Sequence, residues 1–280
     1  MLVAARRAKQ SKTFVWYNYR RCPAVALAHQ LARAGRLGRI YHVRAHYLQD
    51  WGGPDVPLLW RFQKKYAGSG AHGDLNAHII DMARFITGDE ITEVVGSIAE
   101  TFIKERAIVD EGPRGGIAGG TRGAKRKGKG DVDDAVLFLA RFKQGAIATF
   151  EATRLATGNQ NKNGIEINGD KGSIRFNFED MNYLDYYDAT AERKVQGWTR
   201  IMATHAPDHP YAGNWWPDAH ILGYEHGFIN QTADMLNIIA GKKPVVPMPD
   251  FEDAYKTQQV LEAAIVSAED RRAVKTAEME

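Results

Sequence analysis

Three ionisable side chains recur at helical spacing in the first third of the chain. Asp74, His78 and Asp81 are separated by four and three residues, which places them on one face of a helix. A carboxylate beside an imidazole raises the proton affinity of the ring and fixes its orientation. Such an imidazole can take the hydroxyl proton of a secondary alcohol while hydride leaves the carbon. The pattern is therefore compatible with acid–base catalysis of an alcohol oxidation.

Two simpler interpretations of the same residues stay open at the level of spacing. Asp74 could cap the N-terminus of the helix while His78 is hydrogen-bonded inside the core. Alternatively, Asp74, His78 and Asp81 could ligate a divalent cation, helped by one of three later histidines: His205, His209 and His220.

The segment before this helix matches the pattern GxGxxG, from Gly68 to Gly73. This pattern can cradle a dinucleotide phosphate when it follows a buried strand. Residues 61–66, however, are too polar for a buried parallel strand, and Asp74 would repel a phosphate at the helix start. We therefore predict a loop that enters the helix, with Asp74 as its N-cap.

The order of predicted elements favours an α+β fold with a large antiparallel sheet covered by helices. It departs from the regular strand–helix alternation of a doubly wound sheet. Helices are expected over residues 1–10, 24–34, 75–86, 219–240 and 251–271, with Pro23 and Asp250 at two of their starts and Gly88 at one end. Strands are expected over residues 13–19, 40–48, 91–103, 132–142, 146–154, 164–168 and 173–178, and a loop over 197–218.

Composition excludes several classes of protein. The 280 residues are 44% hydrophobic and carry a net charge of only +3, which gives no indication of a nucleic-acid partner. The single cysteine, Cys22, excludes an internal disulfide framework. No apolar run suits a membrane helix or a signal peptide, so we expect a cytoplasmic protein. The glycine-rich basic segment 112–130 is predicted to be a loop.

Four stretches of the chain carry a family resemblance. They are residues 17–20 with Pro23 and 35–40; Trp60-Arg61 with residues 69–81; Asp133-Asp134 through Gly145 with residues 151–154 and 169–173; and residues 209–211 and 215–217 with His220. With these stretches the chain resembles the Gfo/Idh/MocA oxidoreductases, the family of glucose–fructose oxidoreductase and inositol dehydrogenase.

The resemblance implies a nicotinamide-dependent enzyme in two domains. An N-terminal Rossmann domain would bind NAD or NADP, and an open-faced antiparallel sheet would bind a sugar, anhydrosugar or polyol and form a homo-oligomer. It implies His78 as the acid–base residue and Asp74 as its orienting partner, with no metal. It also implies contacts of Trp60, Arg61 and Arg20 with the cofactor, and of three residues with substrate hydroxyls: Arg154, Asn159 and His220.

The chain departs from the family pattern at its start. The glycine-rich phosphate turn and the Glu-Lys-Pro motif of the family are not found, and Lys243-Pro244 lies late in the sequence. Residues 1–20 resemble the last helix and strand of a Rossmann domain, and residues 21–280 a substrate-binding and oligomerisation domain. We therefore expect an N-terminally truncated enzyme that is incomplete, and inactive alone, because most of the nucleotide domain is missing. The alternative is a cofactor-free sugar-binding partner or a metal-assisted sugar lyase or hydrolase.

Overall fold

A computed structural model describes residues 1–108 and 126–279, so most of the predicted loop 112–130 lies outside the described residues. The helices are α1 (Leu2–Arg7), α2 (Pro23–Arg33), α3 (Lys64–Ala67), α4 (Ala77–Thr87), α5 (Tyr224–Ile239) and α6 (Phe251–Asp270). The strands are β1 (Ile40–Leu48), β2 (Ile91–Glu100), β3 (Glu105–Ala107), β4 (Lys127–Lys129), β5 (Ala135–Phe142), β6 (Ile147–Thr153), β7 (Lys162–Gly169), β8 (Gly172–Asn177), β9 (Tyr183–Asp188), β10 (Trp198–Met202) and β11 (Val274–Lys275).

Nine of the strands form one sheet in the order β10-β9-β8-β7-β1-β6-β5-β2-β11. The pair β1–β6 is parallel, and every other neighbouring pair is antiparallel. Short turns join β5 to β6 and β7 to β8. The turn between β5 and β6 is closed by Gly145 in the left-handed region, with φ of 97°. The predicted α+β fold with a mostly antiparallel sheet is confirmed.

The helices cover one face of the sheet. Along β1, Val43, Ala45 and Tyr47 are buried, whereas Tyr41 stays half exposed because the pairing with β7 shifts between Ile40 and His42. The helix α4 is buried along most of its length and packs against α2, α6 and β1. Burying each large apolar side chain contributes about 1.5–3 kcal/mol, so this layer fixes α4 firmly relative to the sheet.

The opposite face of the sheet is open. Four large apolar side chains on β2, β5 and β6 are 42–62% exposed: Ile98, Leu137, Leu139 and Ile147. Cross-strand pairing brings Ile98 opposite Leu137. The open face therefore carries an apolar area that no described element covers.

Several helix ends follow the predicted local chemistry. Pro23 occupies the first turn of α2, where a missing N–H costs nothing. The left-handed Gly88 ends α4, and the side chain of Asp250 accepts a hydrogen bond from the backbone N–H of Asp253 at the start of α6.

The structure corrects the prediction at the start of the chain. Residues 13–17 are irregular and Asn18–Arg21 form a 3₁₀ turn, so the predicted strand over 13–19 is wrong. The backbone N–H of Val15 donates to the carbonyl of Pro249 at 2.9 Å, and Gln231 Nε2 donates to the carbonyl of Val15 at 2.8 Å. Because these loop and side-chain partners hold the segment, it joins no strand among the described residues.

Three other elements were predicted incorrectly. The strand β9 was not predicted, and β10 falls in the expected loop 197–218. The helix α5 begins at Tyr224, five residues later than expected, because Ala219 adopts a left-handed conformation with φ of 64°.

Candidate active site

A π-helical turn precedes α4 and spans His72–Asn76. The backbone N–H groups of Gly70 and His72 both donate to the carboxylate of Asp133, at 2.8 and 2.7 Å. A side chain at Gly70 would collide with the backbone of Asp133, so only glycine permits this approach. The glycine loop, residues 68–73, is thus held against the segment that precedes β5. The N–H groups of Gly70 and His72 are already bonded to Asp133 and are not free for a ligand.

Asp74 lies in the π-helical turn, and its side chain is 46% exposed. Its carboxylate accepts a hydrogen bond from Arg154 Nη2 at 2.6 Å and makes no capping bond to the helix. The predicted N-cap role of Asp74 is therefore wrong: the π-helical turn already places its backbone inside a helical segment. Arg154 was predicted to contact substrate, and the structure brings it directly to the predicted catalytic carboxylate.

Arg154 follows β6 and is almost completely buried, with 3% of its side chain exposed. Its guanidinium lies 5.1 Å from the ring centre of Trp51 and 6.0 Å from that of Phe62. Its Nε and Nη1 atoms are buried without a hydrogen-bond partner among the described residues. Asp74 is thus the anion that balances this buried cation.

His78 lies in the first turn of α4 and is half-buried among aromatic rings. The ring of Tyr19 meets it edge-on at 4.9 Å, and those of Tyr17 and Tyr47 lie at 6.1 and 6.3 Å. Burial lowers the pKa of His78 to about 4, although the charge of Asp74 acts in the opposite direction. The sequence predicted a raised proton affinity; here the loss of hydration outweighs the carboxylate, and His78 is neutral at pH 7.

An open cleft of about 800 Å³ lies on the Asp74 side of this helix start. Its lining includes Trp60, Arg61, Gly70, Asp74, Arg154 and, from α6, Glu262, whereas His78 lies one turn beyond Asp74 and does not line it. The guanidinium of Arg61 stacks on the ring of Trp60 at 4.4 Å, and Trp60 is 45% exposed. The predicted pair of Trp60 and Arg61 therefore stands at the rim of the same cleft as Asp74.

The implied dinucleotide cofactor fits this chain only in part. An exposed indole and a guanidinium at the cleft rim suit a planar ring and a negatively charged group. The amides of the glycine loop, however, are used by Asp133, so the GxGxxG segment offers no free pair for a pyrophosphate.

The other predicted contacts lie away from the cleft. Arg20 is 5% exposed and is paired with Asp81 and Asp253, so it joins the 3₁₀ turn to α4 and α6 instead of facing the cleft. Asn159 donates its side-chain amide to the carbonyl of Ala156 at 3.1 Å. His220 is exposed and its Nδ1 lies 3.0 Å from the carbonyl of Pro217.

A second group of polar side chains near His78 was missed by the sequence reasoning. Tyr19, Tyr47, Asn161, Gln49 and Trp51 form a continuous series of hydrogen bonds of 2.6–2.8 Å, named here the Tyr19–Trp51 chain. Burial raises the pKa of Tyr47 to about 12, so this phenol stays neutral at pH 7. The available signal was the alternation of β1, which continues past Tyr47 to Gln49 and Trp51.

The structure does not favour the metal interpretation. Within residues 1–108 and 126–279, no three side chains of His, Cys, Asp or Glu converge as ligands. Asp74 is paired with Arg154, Asp81 with Arg20, and His205 with Asp218 at 2.9 Å. In the same part of the chain, no helix has the length and apolarity needed to cross a membrane.

The fold and the sequence together identify the family of this chain. Residues 25–175 match the model of the GFO/IDH/MocA C-terminal domain, and the chain belongs to this family. It is 40% identical over 257 residues to levoglucosan dehydrogenase of Pseudarthrobacter phenanthrenivorans, covering 91% of this chain and 64% of the relative. The chain thus spans less than two thirds of the length of that relative.

Solved structures show the same relationship. An oxidoreductase domain protein from Kribbella flavida is 47% identical and superposes with a TM-score of 0.87 over 98% of this chain and 69% of that protein. A levoglucosan dehydrogenase in complex with NADH and L-sorbose is 38% identical, with a TM-score of 0.82 over 95% of this chain and 66% of that protein.

Proposed function

We propose that this chain provides the substrate-binding and acid–base part of an NAD(P)-dependent dehydrogenase that acts on a CH–OH group of a sugar, anhydrosugar or polyol. Residues 21–280 form the substrate-binding unit in this proposal. The observation that supports it is the arrangement of two side chains. Asp74 forms an ion pair with the buried Arg154 at an open cleft, and a neutral His78 follows one helical turn later.

The proton chemistry follows from the state of His78. A neutral imidazole can accept the proton that a secondary alcohol loses during oxidation. Since Nδ1 is buried without a partner among the described residues, Nε2 is the nitrogen that exchanges the proton. Asp74 stabilises the imidazolium that forms, because its charge raises the pKa of His78. A nicotinamide, when bound, would supply the hydride acceptor.

The remaining roles have unequal support. Trp60 and Arg61 stand where they can contact the cofactor at the cleft rim. Arg154 acts on the substrate through Asp74 in this proposal. The structure adds no support for contacts by Arg20, Asn159 or His220. Sugar or anhydrosugar substrates are supported by the relative that binds NADH together with L-sorbose.

We also propose that the protein forms a homo-oligomer through the open face of the sheet. A second copy placed there would cover the exposed Leu137, Leu139 and Ile147. This arrangement would remove apolar side chains from water without obstructing the helix-covered side that carries Asp74 and His78.

The test of the enzymatic proposal uses the longest form of the protein that its native gene encodes. Reduction of NAD⁺ and NADP⁺ is followed at 340 nm with levoglucosan and a panel of pyranoses and cyclitols. The substitution His78→Ala is expected to lower kcat by about 10²–10⁴-fold. The control His205→Ala, at an exposed histidine paired with Asp218, should leave kcat unchanged. Absence of turnover with every sugar and both cofactors, or full activity of His78→Ala, would contradict the proposal.

A further inference from the structure

The Tyr19–Trp51 chain has a direction that its chemistry imposes. Trp51 Nε1 contacts Gln49 Oε1 at 2.6 Å, Gln49 Nε2 contacts Asn161 Oδ1 at 2.8 Å, and the Tyr47 hydroxyl contacts the same Oδ1 at 2.8 Å. The indole N–H can only donate a hydrogen bond. Gln49 must therefore present its carbonyl oxygen to Trp51 and its amide nitrogen to Asn161.

The orientation of the Asn161 amide follows from that of Gln49. Facing an N–H donor, Asn161 must present its oxygen, which then also accepts from the Tyr47 hydroxyl. Tyr47 in turn accepts from the hydroxyl of Tyr19, 2.6 Å away. Because the Trp51 indole can only donate, it determines which atom donates and which accepts at every step of the Tyr19–Trp51 chain.

This leaves the Nδ2 group of Asn161 directed away from the chain. It has no hydrogen-bond partner among the described residues, and the half-buried side chain does not seal it from solvent. The ring of the neighbouring Tyr47 lies 6.3 Å from the His78 ring. The negative charge of Asp74 also contributes to the raised pKa of Tyr47. A free N–H donor next to Tyr47, whose ring lies near that of His78, is therefore available to a ligand.

We propose that Asn161 is a specificity-determining residue that donates its Nδ2–H to an acceptor oxygen of the carbohydrate. This inference rests on the proposed function and names one contact within it. A donor-only group binds the lone pair of a hydroxyl, ring or ether oxygen alike. It would suit a carbohydrate whose oxygen at this point has no proton to give, such as the bridging oxygen of an anhydrosugar.

The first experiment reverses the polarity of this group. Binding of levoglucosan and its monodeoxyfluoro analogues to the full chain is measured by calorimetry for Asn161→Asp. A carboxylate still accepts from Tyr47 and Gln49 but cannot donate. Binding of levoglucosan itself should weaken by about tenfold if the contacted oxygen is an ether. If it is a hydroxyl, one fluoro analogue should lose about tenfold relative to the parent.

The matched control is Asn237→Asp, in the last turn of α5. Asn237 has no part in the proposed site, so the ligand series should bind to this variant as it does to the unsubstituted chain. If every dissociation constant of Asn161→Asp stays within about twofold of the original, the inference is overturned.

A second variant tests the orientation without changing Asn161. In Gln49→Glu, the introduced carboxylate accepts from Trp51 but cannot donate to Asn161, so the Asn161 amide should turn and present its oxygen to the ligand. The ligand preferences should then match those of Asn161→Asp, whereas Gln144→Glu, at an exposed turn, should change nothing. Wild-type preferences in Gln49→Glu would overturn the inference.

Failure of the inference and failure of the proposed function give different results. If the unsubstituted chain binds none of the carbohydrate probes, the proposed function fails and the inference falls with it. If the chain binds levoglucosan and the two variants bind levoglucosan and every fluoro analogue unchanged, only the role of Asn161 is lost. Thermal unfolding of each variant, followed by circular dichroism, establishes that the binding data come from folded protein.

Discussion

Removing the half-exposed Asp74 should destabilise the protein more than removing its buried partner. In Asp74→Ala, the guanidinium of Arg154 stays buried with 3% exposure and loses its anion, while its Nε and Nη1 already lack partners among the described residues. The nearby charge of Arg106 adds repulsion. In Arg154→Met, by contrast, water can hydrate the carboxylate that is left behind, since Asp74 is 46% exposed.

The magnitudes follow from this asymmetry. Leaving a buried charge without its partner costs about 3–5 kcal/mol, and partial access of water to this pair favours the lower end, about 3 kcal/mol. For a domain of this size, that loss lowers Tm by roughly 6–10 °C. Arg154→Met keeps an apolar stem between Trp51 and Phe62 and should cost about 1 kcal/mol. The double variant should be more stable than Asp74→Ala alone, because it no longer contains the unpaired cation.

The assay is urea unfolding at pH 7, followed by tryptophan fluorescence and circular dichroism. A control with similar exposure is Glu252→Ala: its carboxylate is 49% exposed and pairs with Arg6, itself 60% exposed. That variant should lose about 0.5 kcal/mol or less. The reasoning is refuted if Asp74→Ala costs no more than Glu252→Ala, or less than Arg154→Met.

Three further predictions concern pH, an internal ion pair and assembly. Because burial lowers the pKa of His78 to about 4, below the ordinary value of 6.5, the unfolded chain binds a proton between these pH values that the folded chain does not. Stability therefore falls as pH decreases from 6.5 to 4, and His78→Gln should reduce that fall by up to about 3 kcal/mol in urea unfolding at pH 7 and pH 4. An equal fall in both proteins would contradict the burial of His78. Asp81→Asn removes one of two carboxylates from the buried Arg20 and should cost about 2 kcal/mol; an unchanged thermal midpoint would contradict this role. Leu139→Arg on the open sheet face should lower the mass measured by light scattering after size-exclusion chromatography, and an equal mass before and after substitution would place the assembly elsewhere.

Local sequence patterns determined much of the secondary structure. Alternation along residues 40–48 specified β1, and Pro23, Gly88 and Asp250 marked helix ends correctly, because each acts through its own backbone and nearest neighbours. The family motif around Asp74 and His78 was recognisable for the same reason, since its members lie within one helical turn of each other. The polar character of residues 61–66 also indicated that the glycine loop is not preceded by a buried strand.

Tertiary structure alone decided how these residues act. The pairing of Asp74 with Arg154 joins positions 80 residues apart, and the lowered pKa of His78 arises from burial beside Tyr19, which comes from another part of the chain. Residues 13–17 have the composition of a strand, but the carbonyl of Pro249 and the side chain of Gln231 hold their backbone instead. Spacing fixes which side chains share a helical face, whereas hydration, charge balance and hydrogen-bond direction depend on groups that only folding brings together.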